Sequence, residues 1–214
     1  MENASLAQQI ALWSDRLRDM SAMGLLYSPN IYDRENYQQI QQIAMQMLAV
    51  ASAEPLPALE ALRGPVFNRP TPLVTGDAAI IDDAGRILLI QRADNRLWAM
   101  PGGALSTGET PAEGALREAL EETGWRCEAR SLIGVFDSRY IGAVSRHQLY
   151  MFQFLCRPVA LEHAVPPFAN EILGMDWFSE AQVPEALDPG HRRRIPLAFQ
   201  AWKSSIPAYF DRPG

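Results

Sequence analysis

Apolar positions at helical spacing open the chain. Leu6, Ile10, Trp13, Leu17 and Met20 fall on one face, and Ser5 with Gln8 has the form of a capping box. Gly24 is expected to close this first helix. Tyr37, Ile40, Ala44, Met47, Leu48 and Ala51 repeat the spacing in a second helix entered through Tyr32-Asp33-Arg34-Glu35, so residues 25–30 would link an αα-hairpin. Glu54-Pro55-Leu56-Pro57 and Asn68-Arg69-Pro70-Thr71-Pro72 then punctuate the chain. They predict a helical segment over residues 1–66 and a larger domain over 67–214.

Within that domain the period changes. Residues 74–81 and 86–92 read as strands separated by Asp82-Asp83-Ala84-Gly85, a hairpin signal, and residues 131–138 and 147–156 are rich in β-branched, aromatic or apolar side chains. A helix is expected between these pairs and another near residues 192–204. Strands on both sides of a central helix predict an α/β domain with a mixed sheet between helices.

The central helix carries an internal contradiction. Thr110, Pro111 and Glu113 supply an N-cap oxygen, a preset first-turn φ and a capping-box carboxylate, and Gly124 suits the left-handed C-terminal position. Ala112, Leu116, Ala119, Leu120 and Thr123 gather on one side for burial. Glu118, Glu121 and Glu122 stand on another, related as i, i+3 and i+4, where like charges repel, at the helix end where the macrodipole favours cations. A helix capped well at one end and charged wrongly at the other is missing a cation. Carboxylates without His or Cys suit a hard ion, Mg²⁺ or Mn²⁺, rather than zinc. Glu109, eight residues before Arg117, is placed to brace the loop against the helix as an ion pair.

Composition narrows the partners. The formal charge of −6 argues against a stable nucleic-acid partner held by Lys and Arg, but not against a nucleotide whose charge a metal neutralises. Two cysteines without motif spacing give no disulfide framework or zinc site. The Met1-Glu2-Asn3-Ala4 start lacks a basic n-region, and no apolar run reaches membrane-spanning length, so a cytoplasmic location without membrane contact is the expectation.

Gly103, Glu109 and Arg117-Glu118-Ala119-Leu120-Glu121-Glu122-Thr123-Gly124-Trp125, at these spacings, resemble the Nudix box. A chance match to its seven charged and glycine positions is of order 10⁻⁶ for a chain this long. Ala119 departs from the larger aliphatic residue that is usual there. The resemblance implies an α/β/α Nudix sandwich, with Glu118, Glu121 and Glu122 as metal ligands aided by a carbonyl of Gly102 or Gly103. A box glutamate, or an acid on a later loop, would be the general base; Glu171, ahead of Met175-Asp176-Trp177-Phe178, is the later candidate. Trp13, Gly24-Leu25, Tyr27-Ser28 and Tyr32-Asp33-Arg34-Glu35-Asn36-Tyr37, with Ala208-Tyr209-Phe210-Asp211, are similar to a bacterial subgroup acting on nucleoside diphosphates linked to another moiety, of CDP-choline or ADP-ribose type. Asn36 stands where that subgroup would carry Arg.

Arg92, Arg139, Tyr140 and His147 are candidates for contact with diphosphate or base, and His191-Arg192-Arg193-Arg194 is a basic run suited either to phosphate or to a solvated helix start. The amino-terminal helices are too small to form an independent core, so a homodimer through them is expected. Hydrolysis of a linked nucleoside diphosphate is the leading expectation. A nucleoside triphosphate pyrophosphohydrolase and a non-catalytic nucleotide-binding module are the alternatives.

Overall fold

The structure is a computed structural model that describes residues 5–67, 72–143, 148–162, 166 and 170–212. The chain divides into two compact units, residues 1–71 with Ser106–Gly108, and the remainder from Pro72. Phe67, the first residue of the expected larger domain, has its side chain buried with Ala44, Met45 and Leu59 in the core of the helical unit.

In that unit α1 spans Leu6–Tyr27 and α2 spans Ile31–Ser52. The Ser5 capping box forms, with Gln8 N–H donating to Ser5 Oγ at 3.2 Å and Ser5 N–H to Gln8 Oε1 at 2.7 Å. Gly24 does not end α1. The helix runs on to Tyr27, and Gly24 is instead where Tyr37 of α2 crosses: a Cβ there would lie 2.3 Å from its ring. Burial on α1 centres on Ser14 and Ser21, one position on from Trp13 and Met20. Small polar residues at that seam let the helices approach, and Ser14 Oγ donates to Ala44 O at 2.6 Å. Leu6, Trp13, Met20 and Tyr27, each seven residues from the next, are left 68%, 47%, 60% and 42% exposed. A short helix, α3 (Leu56–Leu59), a tight 3₁₀ turn (Glu60–Leu62) and a wider π turn (Arg63–Phe67) complete the unit.

In the second unit β1 (Leu73–Ile80), β4 (Gly102–Ala104), β5 (Trp125–Asp137), β6 (Leu149–Leu161) and β8 (Tyr209–Phe210) form a mixed five-stranded sheet of order β4-β1-β6-β5-β8. β2 (Arg86–Arg92), β3 (Trp98–Ala99) and β7 (Ile172–Ser179) form an antiparallel sheet of order β3-β2-β7. The expected hairpin between β1 and β2 is therefore only a turn. One bridge, Ile81 to Ile87, joins them before they part into different sheets.

Alternation of side chains decides which face each helix covers. Ala78, Ile80 and Leu88 pack with Ala119 of α4 (Pro111–Thr123) and with Cys127 and Cys156. Ala79, Ile81, Ile87 and Leu89 pack with Ile195, Ala198 and Phe199 of α5 (Arg194–Lys203). Both cysteines are buried and free, and burial pushes the Cys127 thiol up to about 12. No helix among the described residues is long and apolar enough to cross a membrane.

Candidate active site

The α4 helix is built as its sequence dictates. Thr110 and Glu113 close a capping box, and Gly124 takes the left-handed conformation at φ 74° while donating its N–H to Leu120 O at 2.9 Å. Its buried line is Ala115, Ala119 and Thr123, with Gly114 beside it, and the larger Leu116 and Leu120 are only half-buried. Small residues on that line bring the helix close to the sheet, and Glu118 and Glu122, three residues on from Ala115 and Ala119, are drawn into partial burial.

Arg117 organises the carboxylates. Its Nε and Nη2 form a fork on Glu109, at 3.0 and 2.8 Å, Nη2 also reaches Ala104 O at 3.1 Å, and Nη1 is shared by Glu118 Oε1 at 2.7 Å and Glu121 Oε2 at 3.0 Å. Glu122 Oε2 accepts the Gly102 N–H at 2.9 Å. Gly103 faces Glu118 so closely that a Cβ there would lie 2.7 Å from the carboxylate, so glycine leaves the Glu118 head its room. Burial pushes the Glu122 carboxyl up to about 8 and raises that of Glu118. These are carboxylates whose burial the protein's own cations do not offset.

Among the described residues, no three or more His, Cys, Asp or Glu side chains are already gathered to hold a metal ion; Glu118 and Glu121 are instead drawn to Arg117. An ion such as Mg²⁺ takes one or two carboxylates and completes its shell with water and phosphate oxygen. The donors present are oxygens, so the chemistry fits a hard divalent ion.

A cleft of about 870 Å³ brings Glu118, Glu121, Glu122 and Gly103 together with Arg92 and Glu171. Arg92 is forked to Asp94 at 3.0 and 2.7 Å, and the Glu171 carbonyl accepts the Ala93 N–H at 2.9 Å, which ties the loop before β7 to the end of β2. Arg139 and Tyr140 stand elsewhere. With Tyr150 and Phe210 they line a separate hollow of about 370 Å³, and Arg139 holds the Asp137 carboxyl down to about 2. His147 lies outside the described residues.

The basic run divides. Arg192 and Arg193 bind carbonyls of Glu185 and Tyr140, whereas Arg194 is fully buried and pairs with Asp77 at 2.5 Å. His191 also lines the cleft, and its Nδ1 accepts the Met100 N–H at 3.2 Å. Burial, with Arg194 and Arg92 nearby, lowers its pKa well below the usual value, so the ring is neutral and able to accept. Asp77 escaped the sequence reading, which took His191 and Arg194 only as members of a basic run for phosphate or a solvated helix start. A fully buried arginine in a basic run is invisible until its partner, more than a hundred positions away, is known.

A family model described as the NUDIX domain matches residues 72–198, and one described as the UDP-X-like, N-terminal oligomerisation domain matches residues 8–62. YjhB of Bacillus subtilis, provisionally named an ADP-ribose pyrophosphatase, is 31% identical over 125 residues, 58% of this chain and 60% of that protein. A MutT-like protein of Streptomyces ambofaciens is 35% identical over 108 residues, 50% of this chain and 64% of that one. The chain thus spans less than two thirds of the length of these curated relatives. The crystal structure of a UDP-X diphosphatase superposes with a TM-score of 0.61 at 25% identity, covering 96% of this chain and 99% of that one.

Proposed function

We propose that this chain, which belongs to the Nudix family, is a metal-dependent pyrophosphohydrolase that cleaves the phosphoanhydride of a nucleoside diphosphate linked to another moiety. The observation that carries this reading is the convergence of Glu118, Glu121, Glu122 and the Gly102–Gly103 backbone on one cleft roomy enough for a nucleotide. Nudix hydrolases work with divalent metals, and Mg²⁺ or Mn²⁺ is the ion proposed here. When bound, the ion would supply positive charge to the diphosphate and acidify water for in-line attack on phosphorus.

Glu118, Glu121 and Glu122 would hold that ion, with a carbonyl of Gly102 or Gly103. Arg117 would keep Glu118 and Glu121 aligned through the fork anchored on Glu109. Arg92 would bind a phosphate oxygen on releasing Asp94, and Glu171 would take the proton of the attacking water. The P–O bond of the anhydride breaks, giving a nucleoside monophosphate and a second phosphorylated fragment. CDP-choline, ADP-ribose and UDP-linked compounds are the substrate types proposed, in keeping with the names of the relatives. The test is chromatography of these compounds, dinucleoside polyphosphates and nucleoside triphosphates after incubation with Mg²⁺. Cleavage of triphosphates alone, with release of pyrophosphate, would replace this reading with a triphosphate pyrophosphohydrolase. Metal-supported nucleotide binding with no cleavage would leave a binding module.

A homodimer through the amino-terminal helices is part of the proposal. It is supported by the exposed Leu6, Trp13, Met20 and Tyr27 stripe and by the oligomerisation model that covers this segment. A cytoplasmic location is proposed too, in keeping with two buried free thiols.

A further inference from the structure

The floor of the cleft is a short backbone strip, from Met100 to Gly103, whose polar groups are fixed in three directions. Met100 N–H donates to His191 Nδ1 at 3.2 Å, Pro101 C=O accepts the Ala78 N–H at 2.9 Å, and Gly102 N–H donates to Glu122 Oε2 at 2.9 Å. Gly102 pairs with Asp77 across β1 and β4, so tightly that a Cβ on Gly102 would sit 2.8 Å from Asp77 Oδ1. Behind the strip, one guanidinium joins the supports. Arg194 Nη1 donates to Asp77 Oδ2 at 2.5 Å, Nε donates to Gly190 O at 2.8 Å, and Nη2 lies 3.3 Å from His191 Nε2. Arg194 has no exposed surface, and the Phe136 ring lies 5.8 Å from its Cζ.

We propose that His191 and the Arg194–Asp77 pair are positioning residues, which hold the Met100–Gly103 strip in the register that sets Glu122 and the glycine backbone for the reaction. A buried ion pair is a poor device for stability alone, since apolar residues of the same volume often serve as well. Here Asp77 lies against Gly102, Arg194 reaches the Met100 end through His191, and Gly102 itself meets the carboxylate helix at Glu122. The contact to Met100 needs a neutral acceptor, and the imidazole supplies it. This inference rests on the hydrolase reading above.

The experiment compares His191→Leu, which removes the acceptor, with His191→Gln, which returns an oxygen near the Met100 N–H. Turnover on the best compound of the substrate panel, Mn²⁺ affinity by electron paramagnetic resonance without substrate, and thermal melting are read together. Expected for His191→Leu is a fall in kcat of about 100-fold, the usual consequence of an ångström-scale misplacement, with weaker Mn²⁺ binding. KM should stay within about threefold, and His191→Gln should recover most of the kcat.

A folded His191→Leu protein with wild-type kcat and Mn²⁺ affinity overturns the inference. So does a His191→Gln variant no better than His191→Leu. If His191→Leu does not fold, Asp77→Asn decides, since it keeps the shape and removes the charge that Arg194 holds: unchanged kcat and Mn²⁺ affinity there overturn the proposal. A wild-type protein that cleaves nothing in the panel and binds no Mn²⁺ would instead sink the hydrolase reading itself.

Discussion

Gly102 gives its backbone N–H to Glu122 Oε2 at 2.9 Å, which fastens the glycine-rich turn to the carboxylate helix through a carboxyl that burial has pushed up to about 8. The bond survives whether that carboxyl is charged or neutral, because the oxygen only accepts. What changes with pH is the charge available to a cation.

Metal binding should therefore release protons. Near pH 7 the metal-free Glu122 carboxyl is mostly protonated, and an ion must displace that proton to bind. Mn²⁺ affinity should rise from pH 6 to 8 by up to about tenfold per pH unit and then level. Stability of the metal-free protein runs the other way. The folded state holds a proton that the unfolded state loses near 4.5, so stability falls as pH rises from about 4.5 to about 8, by no more than about 1.4 kcal/mol per unit. Calorimetric titration in buffers of different ionisation enthalpy and melting against pH check both signs, and Glu122→Gln should flatten both curves.

Single replacements Glu118→Gln, Glu121→Gln and Glu122→Gln should each lower kcat by at least about 100-fold, the scale of losing one electrostatic or general-base contribution. Circular dichroism should be unchanged. Full activity in all three would refute the carboxylate site.

Arg117→Lys keeps a charge and loses the fork on Glu109 together with the shared contact to Glu118 and Glu121. A lysine cannot span those partners, so the cost is set at about 1–3 kcal/mol of stability, with a parallel fall in metal affinity. Chemical denaturation beside Mn²⁺ titration would measure the two losses on one sample.

Two glycines of the same segment should respond in opposite ways. Gly124→Ala must adopt a left-handed φ of 74° and should cost about 1 kcal/mol in stability while leaving kcat near wild type. Gly103→Ala puts a methyl 2.7 Å from the Glu118 carboxylate and should cost activity far more than melting temperature.

Sedimentation should give a dimer at micromolar concentration. Trp13→Glu combined with Met20→Glu places charges on the exposed stripe and should yield monomer with its helicity intact. Wild-type protein sedimenting as a clean monomer would remove the dimer from the proposal.

How far the chain could be read in advance depended on the range of the interaction. Thr110, Glu113 and Gly124 act within four residues, and the α4 helix begins and ends where they say. The period-two strands were legible for the same reason, but Asp82-Asp83-Ala84-Gly85 only says that the chain turns. Whether β1 and β2 stay paired depends on β6 and β7, which arrive later and claim their partners. Gly24 read as a terminator because its contact, Tyr37, lies on the next helix. Arg92 and Glu171 meet at the cleft, while Arg139 and Tyr140 turn into another hollow. Side-chain direction at the end of β5 and in the turn that follows is fixed by pairings to Asp137 that periodicity does not encode.

Cys127 and Cys156 sit under the α4 helix with burial raising both thiols, so almost no thiolate exists at neutral pH. Maleimide reagents should pass both by in the folded protein. A cysteine introduced at an exposed position could then carry a spin label or fluorophore without first stripping out the native pair, which makes the motions of the cleft loops measurable in an otherwise unaltered chain.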